Sequence, residues 1–531
     1  MDADPWSVSP LEQRSKFMRS IVRSVLPVLI IIAQASLPLG ARSQIGPDTI
    51  AKIREEGLQR SQVMDIAGYI VDVLGARLTN SEDMKRAQAW ASNKMEEIGL
   101  SNVAIEPFMD YGVTWDNERF SLHMLEPDYQ PMTGFPLTHT PGTNGRIICP
   151  VVVTDIQTKA DLAKFKGKLK GAIVLASPPV PLDQAVLSQG VNRLTEEDLK
   201  KIAEAVVPPP PRPTPPPPNP DVLKPGEKAA FFKAEGAVAV IQCDGGRPGM
   251  VRGFSRPGTE DDKWSRAKSL ESLPMMAVTP EHYNRMYRIL KRGIPVRIEV
   301  EIRNRIGEKV EKAANVIGEI PGTDLADEIV MIGAHLDSWQ ASPNASDDAS
   351  GCAVALEAAR ILRAIGAKPR RTIRVALWGG EEQGLHGSRE YVLKHFGDPA
   401  NPKAPITPEY GNFSVYFNQD YGAGRYRGIY LQGNEFVRRI FAAWMEPFRD
   451  FGFETLSIQS VGSTDHIPFD AAGLPGFQFI QDRIAGTGGH TNLDYLDTLS
   501  AEDLMKNAVI MAAFAYDAAM SDERIPRKTR R

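Results

Sequence analysis

Ile329-Val-Met-Ile-Gly-Ala334 is an uninterrupted apolar run that ends at once in His335-Leu-Asp337. A run of that kind reads as a strand buried on both faces, which needs a sheet covered by helices. Thr372-Ile-Arg-Val-Ala-Leu-Trp378 repeats the pattern and is followed by Gly379-Gly380-Glu381-Glu382, and Val415-Tyr-Phe-Asn-Gln ends in Asp420. From Asn315 onward strands and helices alternate: a strand over 315–320, a strand over 328–334, a helix over 351–365 and a strand over 372–378. The alternation predicts an α/β fold. Open sheets of this class place their ligand crevice beyond the carboxyl ends of the strands, where these histidines and acids fall.

The residue types at those ends suit a metal site. Asp347-Asp348-Ala-Ser-Gly351 opens the helix after the first strand, and helix capping accounts for one of the two aspartates. Two in succession are electrostatically costly unless a cation lies close. Glu381-Glu382 poses the same problem, and Thr487-Gly-Gly-His490-Thr-Asn-Leu-Asp494 adds an imidazole in a glycine-rich loop. Imidazole nitrogen and carboxylate oxygen without thiolate is the donor set of catalytic zinc. Of two adjacent glutamates, one can ligate metal while the other accepts a proton from water. In His335-x-Asp337 the side chains share one face, so the Asp337 carboxylate is expected to accept the second imidazole N–H and fix the tautomer. His466 reads as a hydrogen-bonded structural histidine. His386, four residues before Glu390, reads as part of a solvated helix face. Together these sites point to a two-metal hydrolase.

The bulk numbers bound the rest. A chain of 531 residues needs more than one core. Its 62 basic and 66 acidic residues give a net charge of -4, so nothing points to nucleic acid; the basic tail after Arg524 reads as a solvated terminus. Cys149, Cys243 and Cys352 are too few for a thiolate metal site; Cys352 reads as buried, and Cys149 and Cys243 could pair in an oxidising compartment. Arg14, Lys16, Arg19 and Arg23 precede an apolar stretch over 25–39, with Ala41 and Ser43 as small residues before Gln44. Residues 1–43 are therefore expected to be a signal peptide cleaved near Gln44, leaving an exported chain with no stable membrane span; retention as an anchor is the less favoured outcome. Helical periodicity covers 50–74 and 82–98, Gly99 ends the second helix, and 103–107 reads as a short strand. The middle region is β-rich, with strands over 151–154, 172–176 and 238–242, and carries a polyproline surface loop over 207–220. The expected division is the opening part of an α/β domain over residues 44–125, an insertion over 126–300 and the remainder of that domain, with the candidate metal ligands, over 301–531.

The stretches "LGARLTNS", "GAHLDSW", "DDASG", "RTIRVALWGGEEQGLHGS", "GSTDHIPF" and "GGHTNLD" resemble the M28 family of metallopeptidases, with wording nearest its carboxypeptidase Q branch. The resemblance implies a mixed central sheet with helices on both faces, and a β-rich protease-associated domain as the insertion. It implies two zinc ions bridged by Asp347, with His335 and Asp420 completing one site and Glu382 and His490 the other. Glu381 would be the general base, Asp337 the orienter of His335, and Asp348 a support for the turn beside the bridge. Ser346 before Asp347 departs from the family's usual Gly, Asn or Ala. The implied activity is removal of terminal residues from short peptides, with a homodimer compatible. A single-zinc glutaminyl cyclase and a catalytically inactive, receptor-like binding protein stay open as alternatives on the same fold. Arg425, Arg427 and Arg483 lie near motifs where a cation could meet a peptide's carboxylate, and sequence does not say which peptide end is read.

Overall fold

The computed structural model of the chain describes residues 43–182, 193–206, 219–243, 245, 247–257, 264–398, 401, 405–420, 422–484 and 489–528. The expected signal peptide, apart from Ser43, and residues 207–218 of the proline-rich tract lie outside the described residues.

Fourteen strands form one sheet among the described residues. In chain order they are β1 (Ser101–Glu126), β2 (Gln130–Pro131), β3 (Gly134–Pro136), β4 (Ile147–Val153), β5 (Ile173–Leu175), β6 (Ala239–Gln242) and β7 (Met275–Val278). Then come β8 (Arg297–Ile320), β9 (Leu325–His335), β10 (Arg371–Trp378), β11 (Phe413–Asn418), β12 (Tyr426–Tyr430), β13 (Thr455–Ser457) and β14 (Gly476–Gln481). The order across the sheet is β13-β12-β14-β11-β9-β10-β8-β4-β5-β6-β7-β3, with β1 paired to β8 and β2 to β1. Strands β10, β9, β11 and β14 are mutually parallel, while β8 and β12 flank them antiparallel. The sheet is therefore mixed, as expected.

The four parallel strands are buried along nearly their whole length. That is why they read as continuous apolar runs rather than alternating ones. The helix Ser350–Ala364 is buried from Ser350 to Leu362 and packs against β9, the helix Ala501–Met520 and the helix Pro47–Gln59. The helix Glu82–Glu97 starts at Ser81, whose side chain accepts from the Met84 N–H at 3.0 Å, and stops before Gly99 at φ +83°. A left-handed residue there is inexpensive only for glycine.

One element departs from expectation. The short strand read over 103–107 is the start of β1, 26 residues long and paired along its length with the 24-residue β8. Bulges interrupt the register at several points, and much of the ribbon is exposed on both faces. It therefore lacks the period-2 alternation that reveals a half-buried strand. The ribbon carries the chain from the parallel sheet to a second body. There Leu122, Ile173, Ile241, Met276 and Ile298 share an apolar cluster separate from the main core. The expected boundary at residue 300 thus falls within β8. Cys149 and Cys243 are not joined by a disulfide, and Cys352 is buried.

Candidate metal centre

The crevice lies where the fold predicts it. β9 ends at His335 and β10 at Trp378, opposite each other in register. Glu381 and Glu382 follow β10 after two glycines, and Asp420 lies two residues beyond the end of β11. His490 enters on a loop after β14, at φ +64°. Asp347 sits between β9 and the helix Ser350–Ala364 with extended backbone, φ -139° and ψ 83°. Its carboxylate thereby projects across the crevice rather than onto the helix end.

Two three-residue groups result, and they share Asp347. One contains His335, Asp347 and Asp420; the other contains Asp347, Glu382 and His490. In each, one donor atom per residue lies within 4.8 Å of the others. His335 Nε2 is 3.1 Å from Asp347 Oδ1 and 3.4 Å from Asp420 Oδ1. His490 Nε2 is 3.2 Å from Asp347 Oδ2 and 2.7 Å from Glu382 Oε2. The two oxygens of one carboxylate thus face two different imidazoles.

The electrostatics call for cations. Burial raises the Glu382 carboxyl to about 7, with Asp347 pushing the same way and His490 opposing. Burial likewise raises Asp420, although His335 pulls it down. Burial also raises Glu381, with the charges of Asp420, Asp465 and Glu382 pushing the same way and His335 opposing. Asp347 moves the other way: burial would raise it, but its bonds to His335 and His490 prevail. Burial should lower His490, yet Glu382 and Asp347 raise it to about 10. So many buried carboxylates are stable only against positive charge. Among the described residues, the buried Glu382 Oε1 and Asp348 Oδ2 have no hydrogen-bond partner. Oxygen and imidazole donors in two triads fit zinc. His335, Asp347 and Asp420 would hold one ion, and Asp347, Glu382 and His490 the other.

Asp337 corrects one expectation. His335 Nδ1–H donates to the main-chain carbonyl of Asp337 at 2.9 Å, while the Asp337 carboxylate is 3.8 Å away. That carboxylate instead accepts the Glu381 N–H at 3.1 Å, the Glu382 N–H at 3.3 Å and the Thr79 hydroxyl at 2.9 Å. One residue therefore sets the imidazole tautomer through its backbone and fixes the two-glutamate turn through its side chain, supporting the donor set from behind. Asp348, expected to support the turn, accepts the Gly351 N–H at 3.0 Å.

Further supports come from residues that the sequence did not mark. Asp494 accepts the Ser346 N–H at 2.9 and 3.0 Å, directly before the shared Asp347. The fully buried Arg77 donates to the carbonyls of Gly75, Leu336 and Pro343 at 2.6–2.7 Å, lashing the end of β9 to the loop that leads into Asp347. A glycine is required at 489, where a Cβ would come 1.7 Å from Asp347 Oδ2.

The donors open onto a cavity of about 640 Å³ whose walls include Glu381, Leu385, Arg389, Gly422, Ser463 and Arg483. Arg389 is exposed and, among the described residues, forms no ion pair; nothing in the sequence singled it out from other helical arginines. Arg427 is instead buried against Asp482 at 3.4 Å and Glu196 at 3.3 Å. Buried His466 bonds to the Val461 carbonyl at 3.1 Å and lies outside the ligand groups, as expected. His386 does not face solvent: it is half-buried, edge-on to Tyr111 and Trp264 with ring centroids 6.0 and 5.7 Å away.

Comparison with known proteins agrees with this picture. Residues 315–515 match the model of peptidase family M28. The chain is 24% identical to carboxypeptidase Q of Mus musculus over 473 residues, covering 89% of this chain and 88% of that protein. It is 30% identical to aminopeptidase YwaD of Bacillus subtilis over 223 residues, 40% of this chain and 46% of that one. Among solved structures, a peptidase M28 precursor from Shewanella amazonensis shares the fold with a TM-score of 0.63 at 24% identity, over 91% of this chain and 98% of the other. The zinc aminopeptidase BSAP of Bacillus subtilis shares it with a TM-score of 0.54 at 20% identity, over 87% and 97%. Through residues 315–515, the chain is similar to peptidase family M28.

Proposed function

We propose that this chain is a two-zinc exopeptidase that cleaves short peptides or dipeptides next to a free terminus. The observation that carries the reading is the pair of ligand groups joined through the two oxygens of Asp347, with Glu381 at their edge. Both groups are complete, which favours two ions over the single zinc of a cyclase and favours catalysis over an inactive receptor. Zinc, when bound, supplies a Lewis acid and brings the pKa of a coordinated water toward ~7.

The chain's own groups do the rest. Glu381 lines the cavity, and its main chain is held by Asp337. Burial and neighbouring acids raise its affinity for a proton, which suits it to accept one from the attacking water and return it to the leaving amine. The cavity wall speaks to the substrate's end. Asp347, Glu381, Glu382 and Asp420 are the acids among its described lining residues, and every one is committed to metal or to proton transfer. None is left to hold an α-ammonium, whereas Arg389 and Arg483 offer positive charge. The reading is therefore of a carboxypeptidase or dipeptidase that holds the substrate's terminal carboxylate.

Glu381→Gln and Glu382→Gln, compared at saturating zinc, test the roles. The first should keep its zinc and lose about 10²–10⁴-fold in kcat; the second should lose zinc as well as rate. Near-normal turnover by the first variant, or loss of zinc from it alone, would refute the assignment.

A further inference from the structure

A buried carboxylate far from the cleft holds the chain precisely where export processing is expected. Asp517, in the helix Ala501–Met520, is 1% exposed. Its Oδ1 accepts the Gln44 N–H at 2.8 Å and the Ile45 N–H at 3.3 Å. The Ser43 hydroxyl reaches Oδ1 at 2.9 Å and Oδ2 at 3.1 Å. Ile45 itself is buried in the main apolar core, and Pro47 starts the helix that packs on Ala501–Met520. Among the described residues no lysine, arginine or histidine pairs with Asp517. A carboxylate taken out of water without a cation is costly even when hydrogen-bonded.

We propose that Asp517 is the seat of a processed N-terminus: cleavage between Ser43 and Gln44 converts the Gln44 amide nitrogen into an α-ammonium that forms a buried ion pair with this carboxylate. In that step the Ser43–Gln44 C–N bond breaks. Water supplies hydroxyl to the Ser43 carbonyl carbon and a proton to the Gln44 nitrogen, which takes up a second proton at neutral pH. The cut is made by a leader peptidase while the chain is still extended in export, and Ala41 and Ser43 are the small residues such an enzyme requires. The nitrogen that becomes charged is the one already closest to the carboxylate, so no rearrangement is needed. Losing the Ser43 hydroxyl removes one neutral donor, and the charge-assisted bond that replaces it is stronger. Folding is thereby tied to maturation: an unprocessed chain leaves Asp517 buried without a cation.

The inference is independent of the peptidase reading and is tested without substrate. The full chain is exported from a bacterial host, and its N-terminus is sequenced and weighed. Gln44 with a free amine is expected; a start elsewhere, or a cyclised and therefore uncharged Gln44, overturns the proposal. Thermal midpoints are then compared for the processed chain and for a cytosolic chain that keeps Ala41-Arg42-Ser43, each with and without Asp517→Asn. The processed chain should melt at least about 2 °C higher, an advantage that Asp517→Asn removes. An equal advantage in both backgrounds overturns the proposal. Should the Asn variant fail to fold, reductive methylation of the folded, processed chain decides. The Gln44 amine should be modified more slowly than exposed lysines, and modification at the lysine rate refutes the ion pair.

Discussion

Gly489→Ala is the smallest change that should break the centre without touching a ligand. The added methyl would lie 1.7 Å from Asp347 Oδ2 and 2.4 Å from its Cγ, with the Asp347 Cβ at 2.5 Å. Ordinary carbon–oxygen contact is about 3.4 Å, so carboxylate or loop must retreat by roughly 1.7 Å. The neighbouring atoms all belong to a short side chain flanked by His335 and His490, not to the free end of a long one. Asp347 Oδ2 is also the oxygen 3.2 Å from His490 Nε2, so the displacement falls on the group containing Glu382. A misplacement of about 1 Å at a reacting centre costs on the order of 10²-fold in rate. The variant should fold, lose zinc preferentially from one site, and fall by about 10²-fold in kcat/KM at ordinary zinc concentration. Metal analysis after dialysis against buffered zinc, paired with steady-state kinetics, reads both quantities. Wild-type zinc content with wild-type kcat/KM would show that Asp347 is not held where the geometry requires.

Arg389→Met should raise KM at least about tenfold for dipeptides with a free carboxyl end, and change little for the same peptides amidated there; an equal loss on both would remove Arg389 from substrate recognition. Arg77→Met strips donors from three carbonyls, that of Leu336 buried and those of Gly75 and Pro343 partly so, and should destabilise the fold by about 3 kcal/mol in urea unfolding; a change below about 1 kcal/mol would contradict its bracing role. Burial alone would raise Glu106, but His395 and Lys394 outweigh it and lower the carboxyl to about 2. A depressed carboxyl stabilises above its unfolded pKa and loses that contribution as pH falls from about 4.5 toward 2. Glu106→Gln should therefore cost about 1 kcal/mol at pH 7, discounted for the exposed Lys394, and almost nothing near pH 2. A difference independent of pH would argue against the ion pair.

The parallel core was readable because strands buried on both faces leave unbroken apolar runs, and the site because its donors stand at the ends of those runs. β1 was not readable beyond its first residues: a ribbon partly exposed on both faces has no alternation to detect, and its bulges shift what alternation remains. The candidate donors could be picked out from residue types, with their grouping taken from the family resemblance, yet the contacts of Asp337 could not. Whether a carboxylate or its own main-chain carbonyl meets an imidazole depends on local backbone and side-chain torsions that spacing does not encode. Arg389 escaped notice because its neighbours in sequence are ordinary helix residues, and only the fold brings it to the cavity wall. His386 misled because its aromatic partners, Tyr111 and Trp264, come from distant segments.

The central claim is that two ligand groups joined by Asp347 hold two zinc ions that act together. The most direct measurement is a zinc titration of the metal-stripped chain, with bound zinc and peptide hydrolysis followed in the same samples. The account predicts saturation at two ions per chain, with full turnover reached only as the second site fills. Saturation at one ion, or full activity with one bound, would contradict it.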